Sequence, residues 1–403
     1  MLKSLKVLVK GSILANMITI LISPIITRIY SPENFGLYTL FITIITLFGP
    51  IINLKYEMAI VKSKSLKEEY NLIVISLFIG LFLSFILSIT YGYYIYLNSN
   101  LNFYFVFAIC FMLLFFTSIN NTFMSINNKY KEYNIISQVT ILRAISNSFF
   151  TLILGFFQYT KLGLVISQLT SLLTGISRQS KTFFKNIKGL NLVSRGNILS
   201  NFKGNLNFLF FTSSSALLAT SIYSSIIIFI SYEYSNYELG FYSLGFRILG
   251  LPFTIVSVNV AKVFYEKSIN LNSDFHSLFK NTLFMMLKII MPLIIFIAIF
   301  SPFIFGIVFG NEWKVSGYYV LILAPLFCFK LIYDSLNTTF IVVNKQSIEF
   351  FLQLLLVVLS LILYFLVSIF ELNIYIFLVL ISLMYTLFYI FNLLYMYKLS
   401  KLF

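Results

Sequence analysis

The sequence predicts an all-α polytopic membrane protein of about twelve transmembrane helices, in two parallel-repeat six-helix bundles with both termini cytoplasmic. Three observations carry this expectation. Hydrophobic residues make up 59% of the 403-residue chain and charged ones only 10%, and apolar runs of about 20 residues, the length that crosses a bilayer core, follow one another from end to end. Residues 30–40, Tyr-Ser-Pro-Glu-Asn-Phe-Gly-Leu-Tyr-Thr-Leu, return as residues 234–244, Tyr-Ser-Asn-Tyr-Glu-Leu-Gly-Phe-Tyr-Ser-Leu. That is half the chain later, and it marks an internal duplication. The loop charges, finally, alternate in density from one side of the membrane to the other.

Taken in order, the spans fall near 11–28, 35–59, 71–96, 103–126, 134–157 and 162–177, then 207–231, 239–261, 280–305, 317–341, 348–370 and 373–396. The first run follows Lys3, Lys6 and Lys10 like a leader, but it is long and lacks a small-x-small cleavage site, so it reads as a span. Residues 1–180 form one six-helix half, 181–206 a basic cytoplasmic linker and 207–403 the other half. Cys110 and Cys328 both lie in apolar runs, which argues against a disulfide framework or a metal site.

Charge fixes the orientation. Loops on the side of the N-terminus hold 20 of the 28 Lys and Arg, among them Lys62, Lys64, Lys67, Lys129, Lys131 and the run from Arg178 to Lys203. Opposite loops hold only Lys161 and Lys314, against Glu33, Glu233, Glu238, Glu312 and Glu371. By the positive-inside rule both termini are cytoplasmic. The formal charge of +15 is then a topology signal and a contact with anionic headgroups, not a nucleic-acid site. Both copies of the repeated stretch fall outside, each joining the first two helices of a half. Six spans return the chain to the cytoplasm, so the repeats are parallel. Trp313, Tyr318 and Tyr319 read as an outer interfacial aromatic cluster.

A few charges remain at membrane depth, where they are costly and usually face a bundle interior or a wet cavity. The basic ones are Arg28, Lys55, Arg143, Arg247, Lys288 and Lys330; the acidic ones are Glu57 and Asp334. The balance favours an anionic substrate group. Arg247 is too deep to snorkel easily, so a pathway role stands against a structural hydrogen bond. Arg143 is equally central and equally open. Arg28 fits an outer anchor or a ligand, and Lys55 is as ambiguous. Glu57, two positions on, should face away from Lys55 on a continuous helix. Lys330 and Asp334, four apart, share a helix face: a salt bridge, or a protonatable carboxylate coupled to a cation gradient. Lys288 can snorkel to the cytoplasm, and His276, near Asp274, reads as solvated. Prolines at 24, 50, 252, 292, 302 and 325 mark kinks, either hinges or static packing. No nucleotide-binding loop, His-Glu-x-x-His or Gly-x-Ser-x-Gly occurs, and external loops are short. No catalytic residue, cofactor or metal is expected, which argues against an enzyme without excluding one.

Residues 10–16 (Lys-Gly-Ser-Ile-Leu-Ala-Asn) followed by residues 24–40 (Pro-Ile-Ile-Thr-Arg-Ile-Tyr-Ser-Pro-Glu-Asn-Phe-Gly-Leu-Tyr-Thr-Leu) resemble the opening of the Wzx-type polysaccharide flippases. These belong to the multidrug/oligosaccharidyl-lipid/polysaccharide exporter superfamily. The resemblance implies two bundles forming a V in the bacterial cytoplasmic (inner) membrane. It also implies alternating access that moves an undecaprenyl-diphosphate-linked oligosaccharide, of O-antigen, lipopolysaccharide or capsule type, to the outer leaflet. Membrane lipids, a glycan polymerase and chain-length proteins would be partners. Relatives that flip the peptidoglycan precursor hold the diphosphate with arginines of the first, second and eighth helices. The matching cations here are Arg28, Lys55 and Arg247, with a lysine replacing one arginine and Tyr232 standing opposite Arg28 in the repeat. Arg143 is a further substrate candidate, and Asp334, Lys330 and Glu57 are candidates for ion coupling. The alternatives are a multidrug exporter of the same fold and a membrane glycan polymerase or ligase.

Overall fold

Apolar runs that find no water for their backbone must satisfy it internally, and helices do so. The computed structural model describes residues 2–185, 187–270 and 275–401. Among these residues every regular element is helical, and ten helices are long and apolar enough to cross a membrane. The protein is a multi-pass membrane protein. Two of the twelve expected spans fall outside the ten: that at 162–177, whose helix has 14 residues, and that at 239–261, whose helix carries Glu238, Arg247, Lys262, Glu266 and Lys267.

The chain packs as two units, 1–232 and 233–403. The first holds α1 (Leu2–Ile29), α2 (Pro32–Phe48), α3 (Tyr56–Lys62), α4 (Leu66–Leu97), α5 (Phe103–Lys129), α6 (Tyr133–Phe156), α7 (Thr160–Leu173), the short α8 (Ile176–Gln179) and α9 (Lys181–Lys185), α10 (Arg195–Gly204) and α11 (Ser213–Glu233). Small residues let these helices approach. α1 runs parallel to α6: Ser137 Oγ donates to Val7 O at 3.1 Å near one end, and Gly155 lies beneath Ile29 and Tyr30 near the other. α11 is tied to its unit by Tyr94 Oη, which donates to Ile228 O at 2.8 Å, and by Thr220 Oγ1, which donates to Leu47 O at 3.0 Å. Packing therefore groups α11 with the first unit, while the duplication counts it as the first helix of the second half.

Both copies of the repeated stretch build the same corner. Ser31 Oγ accepts from Asn34 N at 3.4 Å, and Ser235 Oγ accepts from Glu238 N at 3.1 Å. These N-caps satisfy orphan donors at the start of the second helix of each half, where Glu33 and Glu238 suit the positive helix end. Each leading tyrosine is an anchor: Tyr30 Oη donates to Thr151 O at 2.7 Å, and Tyr234 Oη to Leu372 O at 2.9 Å. Burial pushes both phenols up to about 12, with Glu233 adding to the effect on Tyr234, so they stay neutral donors. A Cβ at Gly163 would come within 2.5 Å of Tyr30 Oη.

The segment expected as a cytoplasmic linker lies against the first unit. Tyr70 Oη donates to Phe183 O at 3.0 Å, and Tyr56 Oη to Phe202 O at 2.9 Å. The rings of Tyr56 and Phe202 stack with centroids 5.3 Å apart. A buried ion pair closes the same end, with Lys129 Nζ 2.6 Å from Glu69 Oε2. Lys129 also donates to Ser63 Oγ, and Tyr130 to Glu69.

The second unit comprises α12 (Asn236–Asn270), α13 (Phe275–Phe309), α14 (Lys314–Leu336), α15 (Thr339–Val342), α16 (Gln346–Ile369) and α17 (Ile374–Lys401). α14 is its centre, packed on α12, α13 and α17. One stripe of α13, Phe296, Ile299, Phe303 and Ile307, is exposed, as a lipid-facing surface should be. Lys288 is exposed on the same helix. Trp313 and Tyr319 are buried, both edge-on to Phe241, and of the expected interfacial cluster only Tyr318 is exposed. His276 is not simply solvated: Nδ1 is 2.8 Å from Ser400 Oγ and the ring packs on Tyr397. Asp274 lies outside the described residues.

Pro292, Pro302 and Pro325 all lie inside helices of this unit, and α13 meets α14 backbone to backbone beside one of them. A Cβ on Gly317 would lie 2.5 Å from Pro302 Cα and 2.6 Å from Ser301 O. Backbone cannot swing aside, so Gly317→Ala is expected to destabilise the protein by about 1–3 kcal/mol. Thermal unfolding of the purified protein reads this, and an unchanged melting temperature would refute the close approach.

Candidate functional site

The second helix of the chain ends in a break. Pro50 lacks an N–H, and α2 gives way to a 3₁₀ turn at Gly49–Ile51. Leu54 (φ 47°) and Lys55 (φ 62°) then adopt left-handed backbone before α3 begins. Such a conformation costs a non-glycine residue about 1–2 kcal/mol, so the surroundings must impose it. Asn121 Nδ2 donates to Gly49 O at 2.9 Å, which also accepts from Ile52 N at 3.4 Å. Asn53, 1% exposed, donates to Ser76 Oγ at 2.7 Å and Thr122 Oγ1 at 2.9 Å, on α4 and α5.

The break changes the relation of Lys55 to Glu57. On one continuous helix they would diverge, but Lys55 is the left-handed residue that precedes α3, and Glu57 lies in the first turn of that helix. Glu57 is 6% exposed and its Oε2 has no partner among the described residues. Lys55 is half-buried.

Arg143, on α6, sits where α7 ends. Gly175 has φ +84°, a left-handed position that glycine adopts without strain, and it separates α7 from α8. The guanidinium fills the space beside that break. Nε donates to Thr174 O at 3.3 Å, and Nη2 to Gln179 Oε1 at 3.3 Å and to Asn120 Oδ1. Asn120 in turn donates to Leu172 O at 3.0 Å, and Asn127 to Gln179 O at 2.9 Å. A cation beside helix-terminal carbonyls meets the negative end of the helix dipole. Arg143 is thus engaged by protein groups on every side that the hydrogen bonds define.

The other predicted cations differ. Arg28, exposed at the end of α1, and Arg247, half-buried in α12, have no hydrogen-bond or ion-pair partner among the described residues. Arg247 lies about 16 Å along α12 at 1.5 Å per residue. Its neighbours Gly245 and Phe246 pack on Val320 and Phe327 of α14.

Lys330 and Asp334 do pair, at 2.5 Å. With Ser257, Phe246 and Phe327 they line a cavity of ≈ 50 Å³ between α12 and α14. A third charged residue joins them that sequence reasoning missed. Glu349, in the first turn of α16, accepts from Gln353 Nε2 at 3.4 Å and feels the charge of Asp334. Its place inside the span 348–370 was the available signal, masked by its nearness to the loop at Lys345.

Solved structures share this architecture. An inward-facing multidrug resistance MATE family transporter of the MOP superfamily superposes with a TM-score of 0.67 at 14% identity, covering 98% of this chain and 94% of that one. The lipid II flippase MurJ, in an inward closed conformation, gives 0.70 at 16% identity, covering 98% and 87%. At such identities the likeness is one of fold. No curated protein matches the sequence. The model of a polysaccharide biosynthesis protein family, however, matches residues 25–318. That is nearly three quarters of the chain, and the protein, a multi-pass membrane protein with a fold like that of these two structures, belongs to the polysaccharide biosynthesis protein family.

Proposed function

We propose that the protein is a flippase of the bacterial cytoplasmic membrane that moves a polyprenyl-diphosphate-linked oligosaccharide from the inner to the outer leaflet by alternating access. The observation that carries this reading is Arg247: a guanidinium deep along its helix with no partner among the described residues, in a chain of a polysaccharide biosynthesis family. A diphosphate and a polar glycan cannot cross hydrocarbon unaided, whereas a polyprenyl tail can stay in lipid. Arginine offers a diphosphate two parallel charge-assisted hydrogen bonds and replaces part of its hydration. In this proposal Arg247 is the main contact, Arg28 and Lys55 assist, and Arg143 holds the α7–α8 break, its guanidinium being occupied already. Binding stays comparable in both orientations, since a ligand held equally shifts no equilibrium and is released on either side. Asp334, Lys330 and Glu57 serve ion coupling, and the two duplicated halves, 1–180 and 207–403, are the bundles that rock.

The test is sidedness. In a strain lacking the protein, lipid-linked repeat units should accumulate on the cytoplasmic face of the membrane, and the wild-type gene should clear them. Accumulation on the outer face would overturn the flippase reading in favour of a polymerase or ligase. Unchanged glycan export with accumulation on neither face would leave a drug-exporting relative of the same fold.

A further inference from the structure

The second unit carries a charge cluster that does not cancel: the carboxylates of Asp334 and Glu349 against one ammonium, Lys330. Lys330 Nζ donates to Asp334 Oδ2 at 2.5 Å, and the one-turn spacing on α14 fixes the pair. Their side chains are only 20% and 31% exposed. Among the described residues, Tyr333 stands next to Asp334 on α14, and Tyr389 of α17 packs on it with centroids 5.1 Å apart, with Tyr385 next to Tyr389. From α12 come Phe246, Gly250 and Ser257, none of them ionisable. Among the described residues no group of three or more His, Cys, Asp or Glu could hold a metal ion.

An alkali cation would take the position of closest approach to the Asp334 carboxylate. The Lys330 ammonium already fills it, bearing the same charge on a tether. A sodium ion would have to displace the ammonium or lie against it, like charge beside like charge. A proton need not do so. It adds to the Glu349 carboxylate, which accepts from the Gln353 amide and not from the ammonium, and one proton brings two carboxylates and one ammonium to neutrality. The proposal rests on the ion-coupling reading of this cluster. We propose that Lys330 selects the coupling ion: its ammonium stands where a metal cation would bind, so the second unit exchanges a proton and binds no alkali cation.

The test reads cation binding directly. The purified full-length protein is melted at constant ionic strength while sodium chloride replaces choline chloride, up to about 100 mM. The wild type should show no sodium-dependent shift. Lys330→Ala, and Lys330→Met, which keeps the volume of the stem, open the carboxylates to the ion and should gain an upward shift of a few °C, roughly what tenfold saturation gives. Adding Asp334→Asn should abolish the gain. A sodium-dependent shift in the wild type that Asp334→Asn removes would overturn the proposal. So would the absence of any gain in whichever Lys330 variants fold; if neither folds, the wild-type result decides. None of these readings requires translocation, so a protein that proved not to flip lipid would fail in the sidedness assay and leave the melting data standing.

Discussion

Arg247→Ala should leave the protein folded and slow translocation of the glycan lipid about 10- to 100-fold. That range corresponds to losing a charge-assisted hydrogen bond of roughly 1.5–3 kcal/mol, at 1.36 kcal/mol per factor of ten. The prediction follows from the isolation of the side chain: with no partner among the described residues, Arg247 leaves no orphaned acceptor behind when it is removed. The melting temperature of the variant should match that of the wild type, and its level in the membrane should be normal. Lysine at 247 should recover part of the rate, because it keeps the charge but not the bidentate fork. Glutamine should recover none. Normal translocation by the alanine variant at normal protein level would remove Arg247 from the site.

Arg143→Met should fail in the opposite way. The side chain keeps similar length and loses its donors, so Asn120 Oδ1, Gln179 Oε1 and Thr174 O lose the group that satisfies them. Orphaning buried acceptors in this setting should cost about 2–4 kcal/mol. The expected result is a lower melting temperature and less protein in the membrane, with translocation per folded molecule close to normal. A variant that melts like the wild type yet fails to translocate would make Arg143 a substrate contact. The two arginines, alike in sequence and depth, are thereby separated by stability against rate.

What the sequence shows and what it hides divide along physical lines. Helical spans were legible because hydrocarbon tolerates so few alternatives, and the corner at residues 30–40 was legible because its tyrosines, serine, glycine and leucine occur twice. The break in the second helix was not. Its left-handed residues are Leu54 and Lys55, neither of which advertises that conformation, and what imposes it, Asn53 and Asn121, acts across 23 to 72 residues of chain. The role of Arg143 was open for the same reason, since its partners come from α5, α7 and α8. The basic segment after Arg178 looked like a free connection because its charges are visible in sequence, whereas the docking of Phe183 and Phe202 under Tyr70 and Tyr56 is not.

The asparagines of α5 have a consequence for how the protein is made. Asn121 bonds a carbonyl of the second helix, already synthesised when α5 enters the bilayer. Asn120 and Asn127 must wait for Leu172 and Gln179, which leave the ribosome some fifty residues later. Until then α5 carries two amides into the membrane without their final partners, an unfavourable state in hydrocarbon. Insertion of the first unit is therefore expected to stay provisional until the chain has passed Thr182, whose Oγ1 donates to Asn127 Oδ1 at 2.7 Å. Nascent chains ending before that residue should be the ones that quality-control proteases remove.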